Sequence, residues 1–332
     1  MNKIEFPRVG YDGVSRTQGK IEKWFCGEIR DEIEQRLDGI QGEAQWSVDE
    51  KHCAELIKDH IPFILLADPR NLKRIKNVIL AKYPNMFDSK AKGSFNKRIL
   101  KAFGYKTYRK DVLITLAKWL NVKSCPYCNS QYTLFIDKRV NGQYPKGVAK
   151  FQFDHFFNKS DAPFLSMSLY NLIPSCAACN LAKHAGDMLV ELNPYVTDIA
   201  SLFAFRAKDP IRLWQGDRTI DATQIKLVAA SRNNSRLVDE LNKALFLDKQ
   251  YGRYGRFADV AQEVFDKAYL NPYYSNLDNF SMLTANKFDE EYFRQLWLGN
   301  YIAHGDIEKR PLAKFMQDMW EQACGVIGRK KP

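Results

Sequence analysis

Two cysteine pairs constrain this chain more than any other feature. Cys125-Pro-Tyr-Cys128 and Cys176-Ala-Ala-Cys179 have the same spacing, and two such pairs supply the four thiolates of one tetrahedral structural Zn²⁺. The pattern predicts a fold stapled by zinc on Cys125, Cys128, Cys176 and Cys179. Between the pairs lie Phe153-Asp154-His155-Phe156 and Asn171-Leu172, and Asn180 directly follows the last cysteine. Structural zinc needs none of these polar residues, which leaves Asp154, His155, Asn171 and Asn180 for chemistry.

Other readings of the same residues fit less well. A lone CxxC is also a redox motif, but it then opens a helix near the start of a small βαβ domain. Here it stands at 125 with a second pair downstream. Zinc deaminases need H-x-E with P-C-x-x-C, whereas His155 is followed by Phe156-Phe157. The seven cysteines are an odd count, and the N-terminus lacks an apolar signal region, which speaks against a secreted disulfide scaffold. No stretch reaches the ~18 apolar residues of a membrane span. The expectation is a cytoplasmic protein without a membrane partner.

The formal charge of +11 points to an anionic partner, most simply nucleic acid. The charge is uneven. From Arg70 to Lys123 there are fifteen Lys or Arg against two Asp, whereas Phe257 to Ala323 holds eleven acidic and six basic residues. With 45% hydrophobic residues the chain can form a packed core.

Periodicity places the motifs. Ser47 and Glu50 have the spacing of a helix capping box. Leu72, Ile75 and Ile79 mark a helix with Lys73, Arg74 and Lys76 on its other side, ended by Pro84. Helices are also predicted over 94–103 and 108–121. Residues 132–136 are β-rich, and Asn141-Gly142 is a hairpin signal. Residues 151–157 and 172–174 predict two strands, and 178–184 a helix ended by Gly186, giving a ββα order. Asp154 and His155 are neighbours on a strand, so an irregular backbone is expected where both must serve one site. Spacing predicts helices over 222–247, 257–269 and 290–302, and the 328–332 ending is expected to fray. Three regions follow: a basic, mainly helical 1–121, a zinc-bound core over 122–190, and a mainly helical 191–332.

Asp154-His155, Asn171-Leu172 and Cys176-x-x-Cys179-Asn180-x-x-Lys183 together resemble the HNH, or ββα-metal, nuclease family in its four-cysteine branch. The resemblance covers about a fifth of the chain. It implies an α+β fold with a zinc-stapled ββα-metal nuclease core between mainly helical flanks. It also implies His155 as general base, Asp154 and Asn180 as ligands of one catalytic Mg²⁺ or Mn²⁺, and Asn171 as the residue that fixes the loop orienting His155. The terminal Asn180, in place of histidine, suits Mg²⁺. Lys183 shares a helical face with Asn180 and is a candidate phosphate contact. The implied activity is hydrolysis of nucleic-acid phosphodiesters, DNA favoured and RNA allowed. More loosely, Phe153-Asp-His-Phe-x₂-Lys159-Ser, Leu169-Tyr-Asn-Leu and Leu192-Asn-Pro-Tyr195 look like HNH proteins that work with ATPases in bacterial anti-phage systems, the Septu type among them. That implies a partner ATPase and a defence role. The rival expectation is a zinc-stapled nucleic-acid-binding or adaptor module without catalysis.

Overall fold

In the first long helix, α1 (Gln18–Gln41), Ile21, Phe25, Ile29, Ile33, Leu37 and Ile40 recur every three or four residues, and all are buried. Each such side chain contributes roughly 1.5–3 kcal/mol when fully removed from water. Thr17 caps the helix by accepting from the Lys20 amide. The structure is a computed structural model. It describes residues 1–88, 94–140, 143–183, 186–215, 224–252, 256–274 and 290–326. Cα packing groups the chain into two units: Lys3–Val122 with Thr133–Thr197, and Met1–Asn2 with Lys123–Tyr132 and Asp198–Pro332. This grouping follows packing, whereas the three stretches divided at 121 and 190 follow motif and charge.

The first of these units is a helical layer carrying small sheets. A short hairpin, β1 (Arg8–Val9) with β2 (Ser15–Arg16), precedes α1. Helices α2 (Val48–Asp59), α3 (Ile61–Leu66), α4 (Pro69–Lys82), α5 (Phe95–Phe103), α6 (Tyr105–Tyr108) and α7 (Val112–Leu120) follow. Helix α1 packs against α2, α3, α5 and α7. The capping box at Ser47 and Glu50 forms as spaced. Helix α4 starts on Asp68, which accepts from the amides of Arg70 and Asn71, with Pro69 in the first turn. It departs from the sequence reading at Lys76, which is buried and paired with Asp187 rather than solvated. Helix α5 ends on Gly104 at φ +66°, where a Cβ would collide with Arg36.

Strands β3 (Phe135–Val140) and β4 (Gln143–Ala149) pair antiparallel, with a register shift between Lys138 and Val140. Strand β5 (Gln152–His155) pairs antiparallel with β6 (Leu172–Ser175), and α8 (Ala177–Ala182) follows. Strand, strand and helix thus come in the ββα order. The register steps from Gln152 opposite Ser175 to His155 opposite Leu172 without a break, so the irregular backbone expected at Asp154-His155 is absent. Pro174 lies within β6, and a two-stranded sheet is all edge, where a strand proline is tolerated. The Asn141-Gly142 turn, His184 and the 328–332 ending lie outside the described residues.

In the other unit, β7 (Phe203–Ala207) pairs antiparallel with β8 (Ile225–Ala229). The helical spacing read over 222–247 therefore divides. Ile225-Lys-Leu-Val-Ala forms a strand, and the helix α10 (Ser235–Leu245) starts only after it. Pairing with the alternately buried Phe203, Phe205 and Ala207 outweighs local propensity there. Between the strands lies α9 (Pro210–Trp214); α11 (Leu247–Gly252), α12 (Ala258–Tyr274) and helices Glu290–Leu298 and Ala313–Val326 come after. The helix expected over 290–302 stops at Leu298, where Gly299 sits at φ +79°. The whole is a mixed helix and small-sheet protein of the α+β class. Among the described residues no helix is long and apolar enough to cross a membrane.

Candidate functional site

The first cysteine pair sits in a tight turn. The Asn129 amide donates to the Cys125 carbonyl at 2.8 Å, and the Cys125 amide to the Gln131 carbonyl at 2.9 Å. Asn129 adopts φ +56°, a conformation asparagine tolerates. Its buried side chain donates to Ser124 Oγ and to the carbonyls of Ile307 and Arg310, and accepts from the Lys314 amide. Sequence reasoning missed Asn129, although an asparagine directly after a CxxC pair is a turn signal. The Ser130 amide points at Cys128 Sγ, 3.4 Å away. In the second pair Cys176 caps α8, its sulfur accepting from the Cys179 amide at 3.4 Å.

The ligand atoms of Cys125, Cys128, Cys176 and Cys179 all lie within 4.8 Å of one another, and all four residues are buried. Tetrahedral Zn–S bonds of about 2.3 Å put sulfurs about 3.8 Å apart, so the cluster fits a zinc ion by donor type and by spacing. Backbone amides point at two of the sulfurs, those of Cys128 and Cys176.

Asp154 and His155 lie at the end of β5, at 4% and 6% exposure. The loop after them is held by Asn171, which is fully buried. Its backbone carbonyl accepts from the Phe156 amide at 2.9 Å, and its Oδ1 from the Phe157 amide at 2.6 Å. Its Nδ2 donates to the carbonyls of Phe157 and Leu165. One side chain thus closes a loop of more than a dozen residues against its own start. Helical residues brace the same loop: Asn96 of α5 donates to the Ser160 carbonyl, and Ser168 Oγ to the Ile64 carbonyl of α3.

The His155 ring is fixed on two edges. Nε2 lies 3.1 Å from the Ser166 carbonyl, which can only accept, so Nε2 carries the proton. Nδ1 is then the acceptor, and the Lys159 ammonium donates to its lone pair at 3.4 Å. The Tyr105 ring packs edge-on at 4.5 Å between centroids. Burial, and then the charge of Lys159, pushes the imidazole pKa well below its usual value, against a smaller upward pull from the Ser166 carbonyl. His155 is therefore neutral near pH 7. Burial also lowers the Lys159 pKa, while Asp154 opposes it. Sequence reasoning assigned no role to Lys159 or Tyr105; their sequence distance from each other hides the juxtaposition.

Lys183 is the largest difference from the sequence reading. It is 5% exposed, and its ammonium donates to both oxygens of Asp154, at 3.1 and 2.9 Å, and to the His155 carbonyl. All three N–H donors have partners in the protein interior, so none is offered to a phosphate. Burial lowers its pKa, and Asp154 resists that shift. Asn180, half-buried on α8, donates to Gln152 Oε1. The structure thus brings together Asp154, His155, Asn171 and Lys183, and ties Asn180 to the strand position two residues before Asp154. A carboxylate and an amide oxygen are the donors a hard cation prefers. Asp154 can serve one only if Lys183 yields at least one of its oxygens.

Comparison with protein-family models, with curated proteins and with solved structures finds no match to this chain.

Proposed function

We propose that this chain is a metal-dependent nuclease of the HNH type, hydrolysing nucleic-acid phosphodiester bonds, DNA in preference to RNA. The observation that carries the reading is the neutral His155. Its Nδ1 lone pair is oriented by the Ser166 carbonyl on the opposite nitrogen, on a loop fixed by Asn171, and Asp154 precedes it on β5. A base for water attack needs an oriented lone pair and an uncharged resting state. In this reading His155 Nδ1 takes the proton of the attacking water once Lys159 yields the lone pair to it, Ser166 holds the tautomer, and Asn171 holds the ring's approach. Mg²⁺ or Mn²⁺ on Asp154 and Asn180 would supply positive charge to the phosphoryl oxygens. Lys159 is the cation placed to answer charge beside His155. The defence role and the partner ATPase belong to the same proposal, and co-purification with the neighbouring gene product tests them.

A second reading rests on Lys183. Its ammonium engages both Asp154 oxygens, an arrangement that also suits a zinc-stapled nucleic-acid-binding module whose acidic residue is purely structural. Cleavage separates the two. Purified wild type and His155→Ala are incubated with supercoiled plasmid and total RNA in Mg²⁺, Mn²⁺ or EDTA. The nuclease reading expects metal-dependent cutting that drops ~10²–10⁴-fold in the variant. Equal cutting by both proteins would remove His155 as the base. Salt-sensitive binding with no cutting in any metal, with or without the partner, would favour the binding module.

A further inference from the structure

A cavity lies in the unit that holds Asp154 and His155, and neither residue lines it. Its volume is about 790 Å³, within the roughly 300–1,000 Å³ of small-molecule sites. Lys3, Arg70 and Arg74 bring positive charge to its wall, and Gln18, Tyr170 and Tyr195 line it as well. We propose that this cavity binds a nucleoside phosphate unit, with the phosphate on Arg70 and Arg74 and the base against the tyrosine wall.

Charge and geometry agree on this ligand. Arg70 and Arg74 stand one turn apart on α4 and are exposed. Among the described residues neither guanidinium has an ion-pair partner. Two forked donors one turn apart match the oxygens of a phosphate. The acidic residues on the wall are already engaged. Asp68 accepts from the Arg70 and Asn71 amides and from the Asn71 side chain, and Glu5 lies 3.9 Å from Lys3. Because Asp68 closes the start of α4, the anion site is made by side chains and not by the helix end.

The tyrosine wall is rigid. Tyr170 and Tyr195 are 5% and 7% exposed and meet edge-to-face at 5.1 Å. Tyr170 donates its hydroxyl proton to Glu22 and accepts from Gln18 Nε2 at 2.7 Å. With only 5% and 7% of these residues exposed, a base beside the cationic rim meets the edges of the fixed rings and does not stack on their faces. Tyr170 directly precedes Asn171 in the turn Leu169–Asn171, and the Asn193 side chain donates to the Tyr170 carbonyl. An occupant would thus sit against the segment that carries the loop clamp. The shared chemistry has two sources: a free nucleotide, or one unit of a single strand. The proposal does not depend on catalysis.

The test measures equilibrium binding by the full chain without added divalent metal. The probes are AMP and ATP by calorimetry, and fluorescein-labelled single-stranded DNA and RNA octamers by anisotropy. Arg70→Gln/Arg74→Gln is compared with Lys226→Gln/Lys243→Gln, which removes the same charge from exposed positions in the other unit. The arginine double variant is expected to weaken at least one probe about tenfold or more and to flatten the salt dependence of octamer binding by about two units of slope. The lysine control should change binding less than about twofold. Arg74→Lys, which keeps the charge and loses the fork, should fall between wild type and the double variant. Loss for octamers alone names the strand as source, and loss for AMP or ATP alone names the free nucleotide; both support the site. Equal weakening by the two double variants would mean general charge attraction and overturn it, as would a wild type that binds no probe. The replaced arginines are exposed, so an unchanged far-UV circular dichroism spectrum is expected. Because no cleavage is read, a failed nuclease reading leaves this result intact.

Discussion

Two regions of this molecule are built from the same parts and surrounded differently. Each has a buried lysine–aspartate pair beside a buried asparagine that clamps backbone. Lys183 meets Asp154 at 2.9 Å, and Asn171 closes the following loop. Lys314 meets Asp318 at 2.7 Å, and Asn129 accepts from the Lys314 amide. The second pair is local, one turn apart in helix Ala313–Val326, and Asp318 also accepts from the Phe205 amide of β7. Burial raises the Asp318 pKa, and Lys314 draws it down. The first pair joins the residue that ends α8 to β5 across 29 residues and stands beside a neutral histidine and a second partly buried lysine. A buried ion pair alone says little about role, because desolvation offsets much of the attraction. The groups that share its surroundings distinguish an internal brace from a site.

The largest effects are expected at the lysines. Lys314→Met and Lys183→Met each leave a buried carboxylate uncompensated, so each is expected to lose about 3–5 kcal/mol in urea unfolding. They should part in a second measurement. Lys183→Met changes the affinity of the protein for Mn²⁺ by titration calorimetry, and Lys314→Met leaves it unaltered. A Lys183→Met protein with unchanged metal affinity would make both pairs mere braces. The asparagines come next. Asn171→Ala and Asn129→Ala leave buried backbone groups unsatisfied and should each cost about 1–3 kcal/mol per orphaned group. Only Asn171→Ala should also alter the titration of His155 followed by NMR, because only that clamp sets the loop carrying the ring.

A paired replacement sharpens the contrast at lower cost. Lys314→Met/Asp318→Leu restores apolar packing and should regain most of what Lys314→Met loses, short of the ~1–3 kcal/mol for the stranded Phe205 amide. Thermal unfolding of the single and double variants checks this; no recovery would show that the pair does more than neutralise itself. The smallest effect belongs to a surface pair that sets the lower end of the scale. Arg98, and then Trp46, hold Glu43 below its ordinary pKa of 4.5. The stability this pair contributes is present above that ordinary value and is lost as pH falls through the lowered one. Glu43→Gln should therefore cost about 0–1 kcal/mol at pH 7, with the difference from wild type fading toward pH 3. A constant difference across that range would assign the effect to packing.

Much of the frame was legible because local rules made it so. The capping box at Ser47, the helices near 94–103 and 108–121, and the ββα order from 152 to 182 follow from caps, periodicity and strand composition. The reading failed where a distant partner decided the outcome. Ile225–Ala229 carries helical spacing and forms a strand because Phe203–Ala207 offers an edge to pair with. Lys76 and Lys183 read as polar-face residues and are buried because Asp187 and Asp154 lie opposite them. No window of sequence holds both members of those pairs.

The sequence by itself determined the thiol set and the order of Asp154, His155, Asn171 and Asn180, since ligand spacing and residue chemistry are local properties. Tertiary structure alone decided how that chemistry is poised. It put Ser166 on His155 Nε2, Lys159 beside Nδ1, Tyr105 against the ring and Lys183 on Asp154. Protonation, tautomer and charge balance depend on which groups share a low-dielectric volume, and the folded chain sets those neighbours over distances that no sequence motif spans.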